Sequence, residues 1–182
     1  MAAQHARWNL VLAAALCVLL AACGASVKRE ESGAKLDVPA AAQGKVVLIV
    51  EPANAVVGQR PDWPALVEAF TAAMGKAAGN ARLEFSAYKA GTRPAPEAGT
   101  LVTVKVSNFA LIGSDKRFAL GAIAGSGALD TEVTFAELQS GKALGTRKYA
   151  ASSGAFAGLM SAPTERQLDV LAEQIFKDLA RK

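Results

Sequence analysis

Hydrophobic and polar residues follow two periods along the chain, one typical of strands and the other of helices. Residues 46–50 form a continuous apolar run, which predicts a strand buried on both faces. Other segments alternate between apolar and polar residues in the manner of half-buried strands. In chain order, strands are predicted over residues 45–50, 82–88, 100–109, 117–123, 129–138 and 143–150, with a hairpin turn at 140–142.

Two segments carry apolar residues at intervals of three and four, which predicts amphipathic helices. The first follows Asp62 as its N-cap, has Pro64 in its first turn and ends at Gly79-Asn80. The second begins at Thr164, which forms a capping box with Gln167. The resulting order, β-α-β-β-β-β-β-α, predicts an α+β fold (an α/β sandwich). It has one mixed, mainly antiparallel sheet of about five or six strands, with two helices on one face.

The first 22 residues have the features of an export signal. Arg7 precedes an uncharged apolar run from Leu10 to Ala22, and these roughly 13 residues are too few for a membrane-spanning helix, which needs about 20. Residues 20–23, Leu-Ala-Ala-Cys, resemble a bacterial lipobox, which implies cleavage between Ala22 and Cys23. The alternative is an ordinary secreted protein, cut after an Ala-x-Ala triplet such as residues 13–15.

A lipobox implies that Cys23 carries diacylglycerol on its sulfur and an acyl chain on its amine. Each buried methylene contributes about 0.8 kcal/mol, so two or more chains hold a protein firmly on a bilayer. Gly24 stands where Asp commonly retains lipoproteins at the inner membrane, so the resemblance favours the outer membrane, with the domain facing the periplasm. Residues 23–44 are predicted to be the lipidated N-terminus and a flexible tether spanning about 25 Å, and residues 45–182 one domain.

The residues that most often perform catalysis near neutral pH are scarce. The chain has one histidine, His5, and two cysteines, Cys17 and Cys23. Signal cleavage removes His5 and Cys17, and lipid occupies Cys23. These losses exclude a Ser-His-acid triad, a Cys nucleophile and a His- or Cys-bound metal. We therefore predict no catalytic residue, no metal and no cofactor beyond the covalent lipid. The formal net charge of +4 is scattered, which argues against a nucleic-acid partner.

Three features leave other chemistry open. Asp130 and Glu132 share one strand face as a carboxylate pair of the kind that glycan hydrolysis uses, although solvated surface charges are the commoner explanation. Ser86 and Lys89 match the string S-x-x-K, but they lie at a strand end, whereas the motif needs a helix start. The glycines of residues 121–127 lack the Lys and the following helix of a phosphate-binding loop.

Val56, Val57 and Trp63 form a candidate contact surface. They lie in or beside a predicted loop, where apolar residues indicate a site of contact. Core packing is the alternative explanation for Trp63.

The strand ending in TVKVSNF (103–109), the glycine-rich segment and the SGKALG hairpin (140–145), together with the lipobox and the capped last helix, carry a resemblance. They resemble a domain-of-unknown-function family of bacterial outer-membrane lipoproteins. The layout is similar to the α/β domains of curli-secretion-type lipoproteins and of the Tol N-terminal domain. The anchor, the tether and the lack of catalytic residues predict a non-enzymatic accessory or assembly factor that acts through contacts with envelope proteins. The alternative is a homo-oligomeric outer-membrane secretion pore of curli-secretion type, in which residues 118–129 insert.

Overall fold

The apolar run at residues 46–50 forms an inner strand of a six-stranded sheet. The computed structural model describes residues 26–30, 36–109, 128–152 and 163–180. Its strands are β1 Ser26–Glu30, β2 Lys45–Pro52, β3 Glu84–Tyr88, β4 Thr100–Phe109, β5 Ala128–Glu137 and β6 Ala143–Ser152. Its α-helices are α1 Ala55–Gly58, α2 Trp63–Ala81 and α3 Pro163–Ala180, and a 3-10 turn covers Ala40–Ala42.

The sheet is mixed and open, in the order β1-β6-β5-β4-β2-β3. β2 pairs in parallel with both β3 and β4, because α2 carries the chain back over the sheet between β2 and β3. β4, β5, β6 and β1 pair antiparallel. Three of the five described pairings are thus antiparallel, and the predicted α+β class is confirmed.

The core lies between one face of this sheet and the two long helices. Val46, Leu48 and Val50 alternate toward the helices and belong to the same buried cluster as Phe70 of α2 and Ile175 of α3. All five residues of the apolar run are at most 5% exposed, which confirms that β2 is buried on both faces. The helices also contact each other, so both lie on the same face of the sheet.

Part of the predicted tether belongs to the folded domain. Ser26–Glu30 forms the edge strand β1, which pairs with β6 from Ser26 opposite Ser152 to Glu30 opposite Lys148. Leu36 is 3% exposed and packs over Gly145 of β6, where an added Cβ would lie 2.7 Å from Leu36 Cδ2. The prediction of a flexible tether over 23–44 is therefore wrong for residues 26–30 and 36–44. The charge-rich composition concealed the pairing, because an edge strand needs few apolar residues.

The helix limits differ in detail from those predicted. α2 begins directly after Asp62, as expected, but the Asp62 side chain makes no capping hydrogen bond. α2 ends at Ala81 rather than at Gly79-Asn80, with Arg82 in the left-handed region at φ 57°. The backbone then turns so that Leu83 N donates to Ala78 O and the Leu83 side chain packs against the core.

Two other predictions concern the second half of the chain. α3 begins at Pro163, so Thr164 lies inside the helix rather than at its N-cap. The predicted strand over 117–123 and the glycines of 121–127 lie outside the described residues.

Replacing Leu36 by Ala tests whether this segment belongs to the core. We expect the free energy of unfolding to fall by about 2–5 kcal/mol, because the change removes buried methyl groups and leaves a cavity. Val56→Ala, at a residue that is 77% exposed, is the matched control and should shift stability by less than about 0.5 kcal/mol. Urea denaturation followed by circular dichroism measures both. Equal stability of the Leu36→Ala and Val56→Ala proteins would show that residue 36 lies in a free tether.

Candidate functional site

The two ends of the sheet carry different surfaces. At one end, Val27 of β1 lies opposite Ala151 of β6, which lies opposite Leu129 of β5, which lies opposite Phe109 of β4. β2 also finishes at this end, and α1 follows it directly. We call this end of the domain the α1 end. β2 and β4 begin at the opposite end.

Helix α1 places one exposed apolar side chain at the α1 end. The Asn54 side chain caps the helix by accepting a hydrogen bond from Val57 N at 3.0 Å. A Cβ on Gly58 would lie 2.9 Å from Pro52 Cγ, so the helix sits close against the end of β2. Val56 is 77% exposed, whereas Val57 is 7% exposed and belongs to the core. Val57 therefore does not contribute to the predicted contact surface.

Arg60 connects the loop between α1 and α2 to the end of β4. Its Nη1 donates to the Phe109 carbonyl oxygen at 2.6 Å, and its Nε and Nη2 donate to the Asp62 carboxylate at 3.0 and 2.8 Å. The guanidinium carbon lies 3.9 Å from the centre of the Phe109 ring, a cation–π contact. The hydrogen bonds to Asp62 raise the pKa of Arg60 above its usual value. We call Arg60, Asp62, Trp63 and Phe109 the Arg60 cluster.

Trp63 packs within this cluster. Its ring centre lies 6.0 Å from that of Phe109, with a tilt of 56° between the ring planes. The Trp63 side chain is partly buried against the core, as the core-packing alternative predicts. Of the three predicted contact residues, Val56 is thus the one whose side chain is fully available to a partner.

A groove of about 780 Å³ lies at the opposite end of the sheet. The segment before β2 and the last turns of α2 and α3 form its walls, which include half-buried Val38, Leu83 and Leu179. Asp37 is its charged lining residue. Thr100 Oγ1 donates to Ala42 O at 2.8 Å and ties the 3-10 turn to β4. These walls suit an apolar group and provide no pair of groups for acid–base catalysis.

The sheet face away from the helices carries charges of alternating sign. Lys148, Glu132, Lys105 and Glu51 occupy successive register positions across β6, β5, β4 and β2. Opposite charges on neighbouring strands stabilise their pairing. This arrangement supports the explanation of Glu132 as part of a solvated sheet face.

The other chemical candidates have structural explanations as well. Asp130 lies on the same face as Glu132, where its Oδ2 accepts a hydrogen bond from Asn108 Nδ2 at 3.2 Å. Ser86 lies within strand β3, and Lys89 follows that strand, so neither starts a helix. Within the described residues, no group of three or more His, Cys, Asp or Glu side chains is placed to hold a metal ion.

A buried carboxylate lies between α3 and the sheet. Asp178 is 3% exposed, and its Oδ2 accepts a hydrogen bond from Tyr149 Oη at 2.7 Å. Gln174 Nε2 donates to Asp178 Oδ1 at 3.4 Å. The hydrogen bond from Tyr149 of β6 to Asp178 of α3 satisfies two buried polar groups and holds α3 against β6.

Three predicted residues or segments lie wholly or mostly outside the described part of the chain. Ala22 and Cys23, the predicted cleavage and lipid-attachment sites, lie outside the described residues, as does the pore stretch 118–129 apart from Ala128 and Leu129. These two residues belong to β5. Among the described helices, none combines the length and the apolar character that a membrane span requires. The lipid anchor and the pore alternative remain predictions.

Sequence reasoning missed the Arg60 cluster. Arg60 and Asp62 are two residues apart, a spacing that indicates a local ion pair. Phe109 is 49 residues away, and no short-range pattern joins it to Arg60. The tertiary fold alone brings the end of β4 to this loop.

Comparison with known proteins gives a likeness of fold at low identity. No protein-family model and no curated protein matches the chain. A solved structure of the PelC dodecamer from Paraburkholderia phytofirmans is 15% identical, covers 87% of this chain and 99% of its own, and has a TM-score of 0.49. The XCC0632 protein from Xanthomonas campestris, described as DUF330, is 10% identical. It covers 76% of this chain and 85% of its own, and has a TM-score of 0.43.

A third structure is the lipoprotein GNA1162 from Neisseria meningitidis. It is 10% identical, covers 73% of this chain and 99% of its own, and has a TM-score of 0.39. The similar structures thus include one described as DUF330 and one described as a lipoprotein. At these scores the likeness carries no conclusion about the activity or assembly of this chain.

Replacing Arg60 by Ala tests the cluster. We expect a loss of about 1–2 kcal/mol in the free energy of unfolding, because the Phe109 carbonyl loses a donor and the ring loses its cation. Arg93→Ala, at an exposed arginine in the loop between β3 and β4, should change stability by less than about 0.5 kcal/mol. Thermal unfolding compares the two proteins. Identical unfolding temperatures would contradict a stabilising role for Arg60.

Proposed function

We propose that this chain is a lipid-anchored protein of the bacterial envelope whose α+β domain acts through protein contacts, without catalysis. The observation that carries the proposal is the sequence Leu-Ala-Ala-Cys at residues 20–23, which closes an uncharged apolar run. A thioether-linked diacylglycerol at Cys23 would hold the domain at a membrane surface. The glycine at position 24 favours the outer membrane, with the domain in the periplasm.

The non-enzymatic part of the proposal rests on chemistry. His5 and Cys17 precede the predicted cleavage point, and Cys23 is the proposed lipid site, so the chain after residue 23 has no histidine and no cysteine. In the described residues, the carboxylates Asp130 and Glu132 lie on a face of alternating charge, not in a cavity. The groove at the other end is mainly apolar. These features favour a binding module over an enzyme.

Two surfaces of the described domain are suited to contacts with other molecules of the envelope. One is the groove at the start of β2, whose half-buried apolar side chains could cover an apolar group of a partner. The other is the α1 end, where Val56 is exposed. We propose that the partners are envelope proteins and that the accessory role consists of assembling or positioning them.

Lipidation is tested by metabolic labelling with palmitate. The wild-type protein should carry the label and sediment with membranes, because three acyl chains make dissociation negligible. Cys23→Ser should lose the label and move to the soluble fraction or stay as the uncleaved precursor. Cys17→Ser is the matched control and should behave as the wild type, because residue 17 leaves with the signal. Label retained by Cys23→Ser would overturn the anchor.

The absence of carboxylate catalysis is tested by a double substitution. Asp130→Asn with Glu132→Gln keeps size and hydrogen bonding but removes both charges. We expect this variant to restore a strain that lacks the gene as fully as the wild type does, because these residues lie on a solvated sheet face. Cys23→Ser, expected to fail in the same assay, shows that the assay responds to loss of function. Failure of a stably folded double variant would point to an enzyme.

A further inference from the structure

The connection between the proposed lipid site and the folded sheet is very short. Cys23 precedes Ser26, the first residue of β1, by three positions. A fully extended chain advances at most about 3.6 Å per residue, so the two Cα atoms lie within about 11 Å of each other. The folded sheet therefore begins next to the anchor, where composition predicted a span of about 25 Å.

We infer that the α1 end of the domain faces the bilayer that holds the Cys23 lipid, and that the groove faces away from it. The inference rests on the proposed lipidation. β1 is firmly part of the sheet, because it pairs with β6 in register along its whole length. The first residue of β1 lies at the α1 end, so the anchor holds that end of the sheet close to the bilayer.

An exposed apolar residue on the same end supports this orientation. Val56 is 77% exposed, more than the other exposed large hydrophobic residues of the described chain, Tyr88 and Val170. It belongs to the short helix α1 that follows β2, four strands across from β1. With strands about 4.8 Å apart, β2, which leads into α1, and β1, which follows the anchor, are roughly 19 Å apart across the sheet. Two separated points of contact would limit rocking of the domain about Cys23.

The surroundings of Val56 suit the headgroup layer of a bilayer. The Arg60 side chain follows Val56 by four positions and is 37% exposed, with its guanidinium paired with Asp62. An exposed apolar side chain can enter the headgroup layer while a partly exposed arginine stays at the level of the lipid phosphates. The Asn54 cap and the Arg60 contacts with Phe109 hold this loop in place before any membrane is present.

In this orientation the groove lies at the end of the domain farther from the bilayer. β5 has ten residues, so the two ends of the sheet are about 33 Å apart. The groove lies near the end where β5 finishes and β2 begins, and in this orientation it opens toward the periplasm. An envelope protein could then reach it without competing with lipid.

Fluorescence quenching in vesicles tests the orientation. The chain after Cys23 has no other thiol, so Val56→Cys and Gln139→Cys each provide one labelling site on the full lipidated protein. Gln139 is the matched control, because it is exposed in the β5–β6 turn at the other end of the sheet. The vesicles contain phosphatidylethanolamine that carries a spin label on its headgroup.

We expect partial loss of fluorescence for the label at position 56 and no loss for the label at 139, since the ends are about 33 Å apart. Equal loss at both positions, or greater loss at 139, would overturn the orientation. Thermal unfolding confirms that both variants are folded, as expected for substitutions at exposed positions.

A spacer variant tests the reason given for the orientation. Twenty Gly and Ser residues inserted between Gly24 and Ala25 span about 25 Å and release the sheet from the anchor. Quenching at position 56 should then fall toward the value at 139. Unchanged quenching would contradict the short connection as its cause.

Analysis of the N-terminal peptide by mass spectrometry separates the two possible failures. A chain without lipid on Cys23 overturns both the proposed function and the orientation. A lipidated chain whose two labels are quenched equally overturns the orientation alone.

Discussion

Burial of one apolar sheet face beneath two helices is the constraint on which the rest of the structure depends. Val46, Leu48 and Val50 of β2 contribute to the core with Phe70 of α2 and Ile175 of α3. Burial of apolar area is the main favourable term in folding, at about 25 cal/mol per Å². With no cysteine after residue 23, no disulfide can assist the domain, and its stability comes from this packing and from hydrogen bonds.

The contacts at the α1 end and around Leu36 show how the core extends beyond the sheet and the two long helices. Leu36 packs over Gly145, and the Arg60 cluster joins the start of α2 to the end of β4. Each is a long-range contact between residues that lie far apart in the sequence. Leu36 forms part of the groove wall at one end of the sheet, and the Arg60 contacts hold the loop that presents Val56 at the other.

The proposed function is that of a binding module at a membrane. In the described residues, ion pairs such as Lys45 with Glu97 and Lys76 with Asp169 lie at the surface, and the buried Asp178 accepts a hydrogen bond from Tyr149. The anchor proposed at Cys23 would add no catalytic group, but it would confine the domain to the membrane surface, where it would meet envelope partners by diffusion in two dimensions. A short connection would add orientation, so that one end of the sheet meets lipid and the other meets proteins.

The local pattern of apolar and polar residues was sufficient to predict the fold class and most of the helices and strands. Burial imposes a local periodicity on apolar residues. This periodicity is visible in the five-residue apolar run, in the alternation over 100–109 and in the apolar spacing of α2 and α3. β2, β4 and both long helices were therefore predicted from the sequence. The lipobox prediction is equally local and depends on the sequence alone.

Only the tertiary structure decided that residues 26–30 form a strand, that Val57 is buried while Val56 is exposed, and that Arg60 meets Phe109. An edge strand is stabilised by the backbone of its neighbour, and a cation–π contact by a ring 49 residues away. Neither interaction leaves a periodic signal in the chain, because the partner that provides the free energy lies far off in sequence.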